Sequence, residues 1–316
     1  MRKIKSRTII NILFTILVIL VAVYNEKITT YIVNNYIYNK NATIEIDKNE
    51  YSLNRDYKYV QITSDFVARD YQHLLNIIYT ILDSGQEEFY FYCSDKYKTC
   101  TEDIDKLIPS DNNDIEYDVL SDINNLVHPF NSYKKLTVVM NNYGKVIIKV
   151  NKQYSIEDIE YINQEIDKIN KAIITEDMTP KLKIQTFHDY IIKTTVYDKA
   201  RANNMNSDKY KDSESHTAKG LLKNHISLCG GYSDIMSIYI HRLSIPNIRI
   251  SADKHVWNLI RLEDKWLHLD ATWDDPVTST GSQILLRDYF LIDSERLAKL
   301  DTVEHNYNKE FYKEAN

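Results

Sequence analysis

The distribution of hydrophobic residues separates an N-terminal segment from the rest of this 316-residue chain. Residues 9–24 (IINILFTILVILVAVY) are apolar on all sides of a helix, and they span about 24 Å at 1.5 Å per residue, slightly less than the ~30 Å core of a membrane. Basic residues at positions 2, 3, 5 and 7 precede this run, and no persuasive small-residue cleavage site follows it. The pattern predicts a signal anchor over residues 1–28, with the remainder outside the cytoplasm by the positive-inside rule. A secreted protein with a cleaved signal peptide is the alternative.

The next part of the chain mixes the hydrophobic periods of strands and helices. Residues 29–56 are polar and predict a linker, and residues 57–152 predict a small α/β region. Within that region we expect strands at 57–63 and 87–93, helices at 71–82 and 101–110, and a β-hairpin over 135–151, where two β-branched runs flank Asn-Asn-Tyr-Gly.

Helical periodicity dominates from residue 153 to about residue 243. Ser155 and Asp158 match a capping box before a stripe of isoleucines, and Thr179-Pro180 matches the N-cap and first position of a second helix. The polar, aperiodic residues 198–217 predict an exposed loop. A third helix is predicted to begin at Cys229.

Short strands replace the helices after Pro246. Period-2 runs at 248–251, 254–262 and 266–273 predict antiparallel pairing through a turn near Asp264. This register places His255 opposite residues 270–274, so Asp270 can reach one of its ring nitrogens. His268 shares the face of Asp270, where it either competes for that carboxylate, lines the cleft or, more commonly for such a residue, is solvated.

Composition and charge narrow the possible partners. The net charge is −6 and no basic patch is present, so we expect no nucleic-acid partner. Cys93 and Cys100 either close a loop disulfide in an oxidising compartment or are two unrelated reduced thiols. Cys229 is left over as a candidate reactive thiol.

The position of Cys229 suits a nucleophile. Gly230 and Gly231 allow a tight turn into the helix, whose N-terminal dipole favours a thiolate, although a lone cysteine is more often a small buried hydrophobe. An imidazole from His255 and a carboxylate from Asp270 would complete a nucleophile, a base and an orienting group. A zinc site built from these residues and His268 lacks paired ligand spacing, so neither a metal nor another cofactor is predicted.

Three linked motifs make the chain resemble the transglutaminase-like superfamily, as a membrane-anchored bacterial member. They are Cys229-Gly-Gly-Tyr232, His255-Val-Trp-Asn258 and Trp266-Leu-His-Leu-Asp270-Ala-Thr-Trp-Asp-Asp-Pro276. The resemblance implies an α+β, papain-like domain over residues 153–316, with a cysteine-bearing helix packed on an antiparallel sheet. It further implies that Cys229 is the nucleophile, His255 the general base and Asp270 its orienting carboxylate.

The resemblance implies acyl transfer on amide bonds of extracellular proteins or cell-wall peptides, with hydrolysis slightly favoured over transamidation. A catalytically inactive scaffold or binding module at the cell surface is the alternative. Papain-type enzymes supply an oxyanion-hole glutamine shortly before the cysteine, and residues 216–228 contain none. The Cys229 backbone N–H is one candidate donor, and Asn224 or His225 is a candidate second donor. We interpret Tyr232, Trp257 and Trp273 as packing residues.

Overall fold

The protein is α+β, as predicted, in a computed structural model that describes residues 6–32, 46–109, 118–141, 144–204, 213–276 and 284–315. The helices are α1 (Ser6–Ile32), α2 (Tyr71–Ser84), α3 (Cys100–Leu107), α4 (Asp118–Asn125), α5 (Ile156–Ile173), α6 (Pro180–Thr194), α7 (Lys199–Ala202), α8 (Ala218–Asn224), α9 (Cys229–Arg242) and α10 (Ser294–Leu300). The strands are β1 (Val67–Ala68), β2 (Glu88–Cys93), β3 (Tyr133–Met140), β4 (Lys145–Lys152), β5 (Val196–Tyr197), β6 (Ile226–Ser227), β7 (Asn247–Ala252), β8 (His255–Leu262), β9 (Lys265–Leu269) and β10 (Phe290–Ile292). Short 3-10 helices occur at Pro129–Asn131 and Lys313–Ala315.

Helix α1 contains the predicted anchor. Its apolar window, Ile10–Thr29, is long enough to cross a membrane, and none of that window is buried against the rest of the chain. This is compatible with single-pass anchoring. The basic residues at positions 2, 3 and 5 and residues 33–45 of the predicted linker lie outside the described residues.

The N-terminal region forms a four-stranded sheet with the order β1-β2-β4-β3. The β3–β4 hairpin confirms the prediction for residues 135–151, and Gly144 has a φ of 80° at its turn, a value that glycine adopts without steric cost. Helix α2 confirms the helix predicted at 71–82. A disulfide joins Cys93 and Cys100, with 5.9 Å between their Cα atoms, so the predicted loop disulfide is confirmed, while the oxidising compartment stays a prediction.

The strand predicted at residues 57–63 is wrong. This segment bends at Lys58 and Tyr59, where the Tyr57 N–H donates to the Val60 carbonyl oxygen at 2.9 Å, and side chains accept the N–H groups that follow. The N–H groups of Gln61, Ile62 and Thr63 donate to Asn76 Oδ1, Asp56 Oδ1 and Thr80 Oγ1, at 3.1, 2.9 and 3.0 Å. The side chains of Tyr57 and Val60 are both buried in the core, although the backbone of the segment does not form a strand.

Helix α9 packs on the antiparallel sheet β10-β9-β8-β7. The Ser155–Asp158 capping box and the Thr179 cap are confirmed by their side-chain bonds to the first turns of α5 and α6. Buried isoleucines of α5, α6 and α9 share one apolar cluster with β8 and β9, among them Ile162, Ile184 and Ile235. Part of the loop predicted at 198–217 forms α7, and residues 205–212 lie outside the described residues.

The opposite face of the sheet packs against the N-terminal region. Ile248 and Trp257 belong to the same apolar cluster as residues of α2 and β2. The N-terminal region therefore packs on the face of the sheet that lies opposite α9. The N-terminal region is also bonded to the α9 face: Arg249, which alternates with Ile248 along β7, binds Asp234 of α9 at 2.7 Å and donates to Ser132 Oγ at 2.6 Å. The boundary at residue 152 stays a prediction.

Candidate active site

Cys229 is the first residue of α9. The preceding Leu228 occupies the N-cap and offers no side-chain hydrogen bond, so N–H groups of the first turn remain without a capping acceptor. These groups and the helix dipole favour negative charge at the helix N-terminus. The Cys229 thiol is partly exposed and is the free cysteine of the chain, since the other two form the disulfide.

The two glycines after Cys229 allow a close approach rather than an unusual backbone angle. Neither has a positive φ, which corrects the tight-turn interpretation. A Cβ on Gly230 would lie 2.8 Å from the His216 carbonyl oxygen, and one on Gly231 would lie 2.2 Å from Ser227 Oγ. The start of α9 therefore rests directly on the backbone that precedes α8, which fixes the position of the thiol.

Strands β8 and β9 bring His255 and Asp270 together as their register predicts. Asn258 pairs with Leu269, so His255 lies just beyond the last paired residues, beside the segment that follows β9. Its Nε2 is 2.5 Å from Asp270 Oδ2. The other carboxylate oxygen, Oδ1, accepts the N–H groups of Thr272 and Trp273 at 2.8 and 3.1 Å. Asp270 is thereby held rigidly toward the ring.

The charges of this pair stabilise each other. Burial lowers the pKa of His255, but the charge and hydrogen bond of Asp270, together with those of Cys229, outweigh it and raise the pKa to about 10. Burial would raise the pKa of Asp270, and its histidine partners instead hold it far below the usual value. At neutral pH the arrangement therefore favours an imidazolium beside a carboxylate.

The Cys229 thiol and the His255 ring share one cavity of about 310 Å³. Because Nε2 is bound to Asp270, Nδ1 is the nitrogen left for the thiol. Sγ also lies 3.9 Å from the Lys254 carbonyl oxygen, directly before His255. The cavity is lined by Tyr197, Ala202, Leu228, Cys229, Ala252, Asp253, Lys254, His255, Val303 and Glu304. The structure thus brings together the three side chains predicted from the sequence.

Residues of the His-Val-Trp-Asn motif hold the ring and its strand in place. Trp257 stacks on His255, with ring centroids 5.5 Å apart and an interplanar angle of 16°. Asn258 Nδ2 donates to the Ser233 carbonyl oxygen at 2.9 Å, which ties β8 to α9. Trp257 is a buried packing residue, as interpreted, and it also orients the His255 ring.

His268 neither competes for Asp270 nor is solvated. It is 1% exposed, its Nδ1 accepts the indole N–H of Trp257 at 3.0 Å, and its Nε2 lies 3.0 Å from Ser294 Oγ. Burial, followed by the charge of His305, lowers the pKa of His268 to about 3. His268 is therefore a neutral residue that holds Trp257 in place through this hydrogen bond. It is buried beneath Ser294 of α10, and it does not line the cavity of the thiol.

A histidine that the sequence analysis missed also contacts Asp270. His305 Nε2 lies 2.9 Å from Asp270 Oδ2, and its Nδ1 lies 2.9 Å from Asp301 Oδ2. His305 lies in a C-terminal segment without hydrophobic periodicity. Only its spacing of four residues from Asp301 could have indicated, from the sequence, that the two side chains are in contact. Its Nε2 and that of His255 bind one carboxylate oxygen.

The candidate oxyanion donors are placed differently from expectation. Asn224 and His225 end α8 and do not line the cavity that contains the thiol. Tyr197, from β5, does line it. Burial and then the charge of Cys229 raise the pKa of Tyr197, so its hydroxyl keeps its proton at neutral pH.

The two acids that end the third motif have structural partners. Tyr232 donates its hydroxyl hydrogen to Asp275, and Asp274 lies 3.2 Å from the buried His188. These contacts tie the segment after Asp270 to α9 and α6. Tyr232 is buried, as interpreted, and is anchored by this hydrogen bond.

Comparisons with known proteins give two distant structural similarities. One is to a crystal structure described as that of a TGase, with 13% identity, a TM-score of 0.33, and 45% of each chain covered. The other is to a candidate cysteine protease from Cytophaga hutchinsonii, with 12% identity, a TM-score of 0.26, and 48% of this chain and 65% of that one covered. The match spans less than two thirds of either solved chain. No protein-family model and no curated protein matches the sequence.

Proposed function

We propose that this chain is a cysteine-dependent acyl-transfer enzyme that acts on amide bonds, with Cys229 as nucleophile, His255 as general base and acid, and Asp270 as orienting carboxylate. The observation that carries the proposal is the 2.5 Å contact between His255 Nε2 and Asp270, together with the cavity that His255 and Cys229 both line. This contact fixes the ring so that Nδ1 serves the sulfur.

The geometry supports the following chemistry. His255 holds the proton of the Cys229 thiol, and the thiolate attacks the amide carbonyl carbon of the substrate. The resulting tetrahedral intermediate collapses when the imidazolium passes that proton to the leaving amine. An acyl-thioester on Cys229 remains. Water, or a second amine, then attacks the thioester with His255 as base, which releases the product and the free thiol.

The oxyanion of the tetrahedral intermediate needs donors near the sulfur. The backbone N–H of Cys229, at the helix start, is the first donor in our proposal. The second is the hydroxyl of Tyr197, because it is a neutral donor on the wall of the same cavity. Tyr197 takes the place that the sequence analysis assigned to Asn224 or His225.

Substrate class and cellular location extend the proposal. An N-terminal helix long enough to span a membrane and a disulfide, which forms in oxidising compartments, support an anchored enzyme whose catalytic part faces the outside. Extracellular proteins or cell-wall peptides are then the substrates. Hydrolysis is slightly favoured over transamidation, because the cavity opens to water at a partly exposed thiol.

Trapping of the acyl-enzyme tests the proposal. The full-length chain in detergent is incubated with a glutamine- and amide-containing peptide library, quenched in acid, and digested for mass spectrometry. We expect an acyl adduct on Cys229, no adduct on Cys229→Ala, and accumulation of adduct in His255→Ala only at high pH. Added primary amine distinguishes the two outcomes, since amide products indicate transamidation and free acids indicate hydrolysis. A catalytically inactive scaffold would give no adduct in any variant.

A further inference from the structure

The C-terminal turn at Asp301–His305 places a second histidine behind the proposed catalytic carboxylate. Asp301 Oδ2 accepts the backbone N–H groups of Glu304 and His305, each at 2.9 Å, so the turn is tightly held. It presents Glu304 to the cavity of the thiol and His305 to Asp270. The side chain of His305 is fully buried.

The proton count around His305 determines its charge. Nδ1 faces Asp301 Oδ2 and Nε2 faces Asp270 Oδ2, both at 2.9 Å. Burial raises the pKa of Asp270, but the charge and hydrogen bond of His255, followed by those of His305, lower it by more. For Asp301, hydrogen bonds from His305 and from backbone N–H groups likewise outweigh burial and lower the pKa. At neutral pH each carboxyl is therefore ionised and can only accept. His305 can bond to both carboxylates only if each nitrogen carries a hydrogen, which makes the ring an imidazolium.

The remaining surroundings of His305 suit a cation. Tyr289 stacks on the ring at a centroid distance of 5.2 Å and an angle of 15°, which is within the range of cation–π attraction. The Trp257 ring is nearly perpendicular to that of His305, with ring centroids 4.7 Å apart. The titratable groups that face His305, taken over all the segments packed around it, are Asp270, Asp301, His255, His268 and Tyr289.

A metal ion does not fit the same cluster. His255, Asp270 and His305 have the residue types of a metal site. Ligand atoms around a tetrahedral zinc with bonds of about 2.0 Å lie roughly 3.3 Å apart. Here both Nε2 atoms approach Asp270 Oδ2 to 2.5 and 2.9 Å. They therefore contact the carboxylate directly, as hydrogen-bond donors.

We propose that His305 is a positively charged positioning residue, which helps His255 to hold Asp270 in its ionised form and offsets part of the attraction that Asp270 exerts on His255. This inference rests on the proposed function, because it concerns the partner of the proposed catalytic base. His305 does not touch the thiol cavity. Its charge acts on the reaction only through Asp270 and His255.

The expected effect on His255 follows from the distance between the two imidazoles. Their ring centroids are 5.2 Å apart, and two unit charges at that distance interact by an amount equivalent to about two pKa units at an effective dielectric constant of ~20. Replacement of His305 by a neutral donor removes this repulsion. The pKa of His255 should therefore rise by about one to two units.

Histidine-selective nitrogen NMR on the full-length chain tests the inference. The nine histidines are ¹⁵N-labelled, and the His305 signal is the one that disappears in His305→Gln. We expect both ring nitrogens of His305 to be protonated at about pH 7. The His255 titration is then measured in a Cys229→Ala background, where the thiol no longer raises its pKa. His305→Gln should raise this midpoint by about one to two pH units.

His268→Gln is the matched control. It is also a buried histidine beside Trp257, but it is neutral, so this change should leave the His255 midpoint in place. If His305→Gln does not fold, Asp301→Asn removes the second carboxylate and should shift the midpoint in the same direction. A single proton on His305 at pH 7, or equal midpoints in the variant and the control, would overturn the inference.

The outcome separates this inference from the proposed function. Alkylation of Cys229 at low pH is measured on the same wild-type preparation. A reactive thiol with a neutral His305 refutes the positioning role and leaves the enzyme. An unreactive thiol with a charged His305 refutes the enzyme and leaves a structural ion cluster.

Discussion

Replacement of Asp270 by asparagine should lower the reactivity of Cys229 at pH 6 by about 100-fold. The change keeps the size of the side chain and an oxygen that can accept from His255, but it removes the charge. Two unit charges about 4 Å apart attract each other by about 4 kcal/mol at an effective dielectric constant of ~20, which corresponds to about three pKa units. Although burial lowers the pKa of His255, the charge and hydrogen bond of Asp270, followed by those of Cys229, raise it to about 10. Without the carboxylate, the imidazolium that stabilises the thiolate is lost near neutral pH.

The loss can be measured as a rate of alkylation. An ordinary thiol, with a pKa of about 8.5, is only about 0.3% thiolate at pH 6. The fraction of reactive thiolate is then about 300-fold smaller than in a fully ionised thiol. The more basic thiolate is the better nucleophile, so we expect the rate with iodoacetamide at pH 6 to fall by about 100-fold. The reaction reports on Cys229 because Cys93 and Cys100 are joined.

Asp275→Asn is the control for this experiment. Asp275 belongs to the same motif and accepts a hydrogen bond from Tyr232, but it does not contact His255. Its replacement should change the alkylation rate by less than about two-fold. Both variants need near-identical circular dichroism spectra for the comparison. An Asp270→Asn variant that is folded and alkylated at the wild-type rate at pH 6 would refute the reasoning.

Three further predictions concern the oxyanion and the supports of the site. Tyr197→Phe should slow acylation by a peptide substrate by about 100-fold while the iodoacetamide rate stays unchanged; equal acylation rates would exclude the hydroxyl as a donor. Replacing Cys93 and Cys100 by serine should lower the free energy of unfolding by about 2 kcal/mol, from the loop-closure entropy of a short loop, as measured by urea denaturation against the oxidised wild type; an unchanged midpoint would contradict this. Arg249→Met should cost about 3–5 kcal/mol in the same assay, because it leaves the buried Asp234 charge without its cation; Arg261→Met, at an exposed ion pair, is the control and should cost less than about 1 kcal/mol.

The features that were predictable from the sequence are those encoded by neighbouring residues. The capping box at Ser155, the β3–β4 hairpin and the approach of Asp270 to His255 depend on local bonds or on the register of one tight hairpin. The side-chain period of a strand then determines which residues meet. The catalytic roles of the three side chains stay a prediction until they are tested.

The features that were missed depend on segments distant in the chain. His305 reaches Asp270 only because the C-terminal segment folds back on β9, and His268 is buried only because α10 covers it with Ser294. Residues 57–63 have the composition of a strand, but side chains of α2, such as Asn76, take up their backbone donors. No local pattern encodes these tertiary contacts.

The pH dependence of Cys229 alkylation in wild type and in His255→Ala tests the central claim most directly. The claim is that a helix-terminal thiol and the His255 imidazole form one charge-paired unit. It predicts that the full-length wild-type chain reacts with iodoacetamide rapidly down to about pH 6, and that the variant reacts only as the pH rises above about 8. The two profiles would coincide, with an ordinary thiol midpoint, if the thiol and the ring did not act on each other.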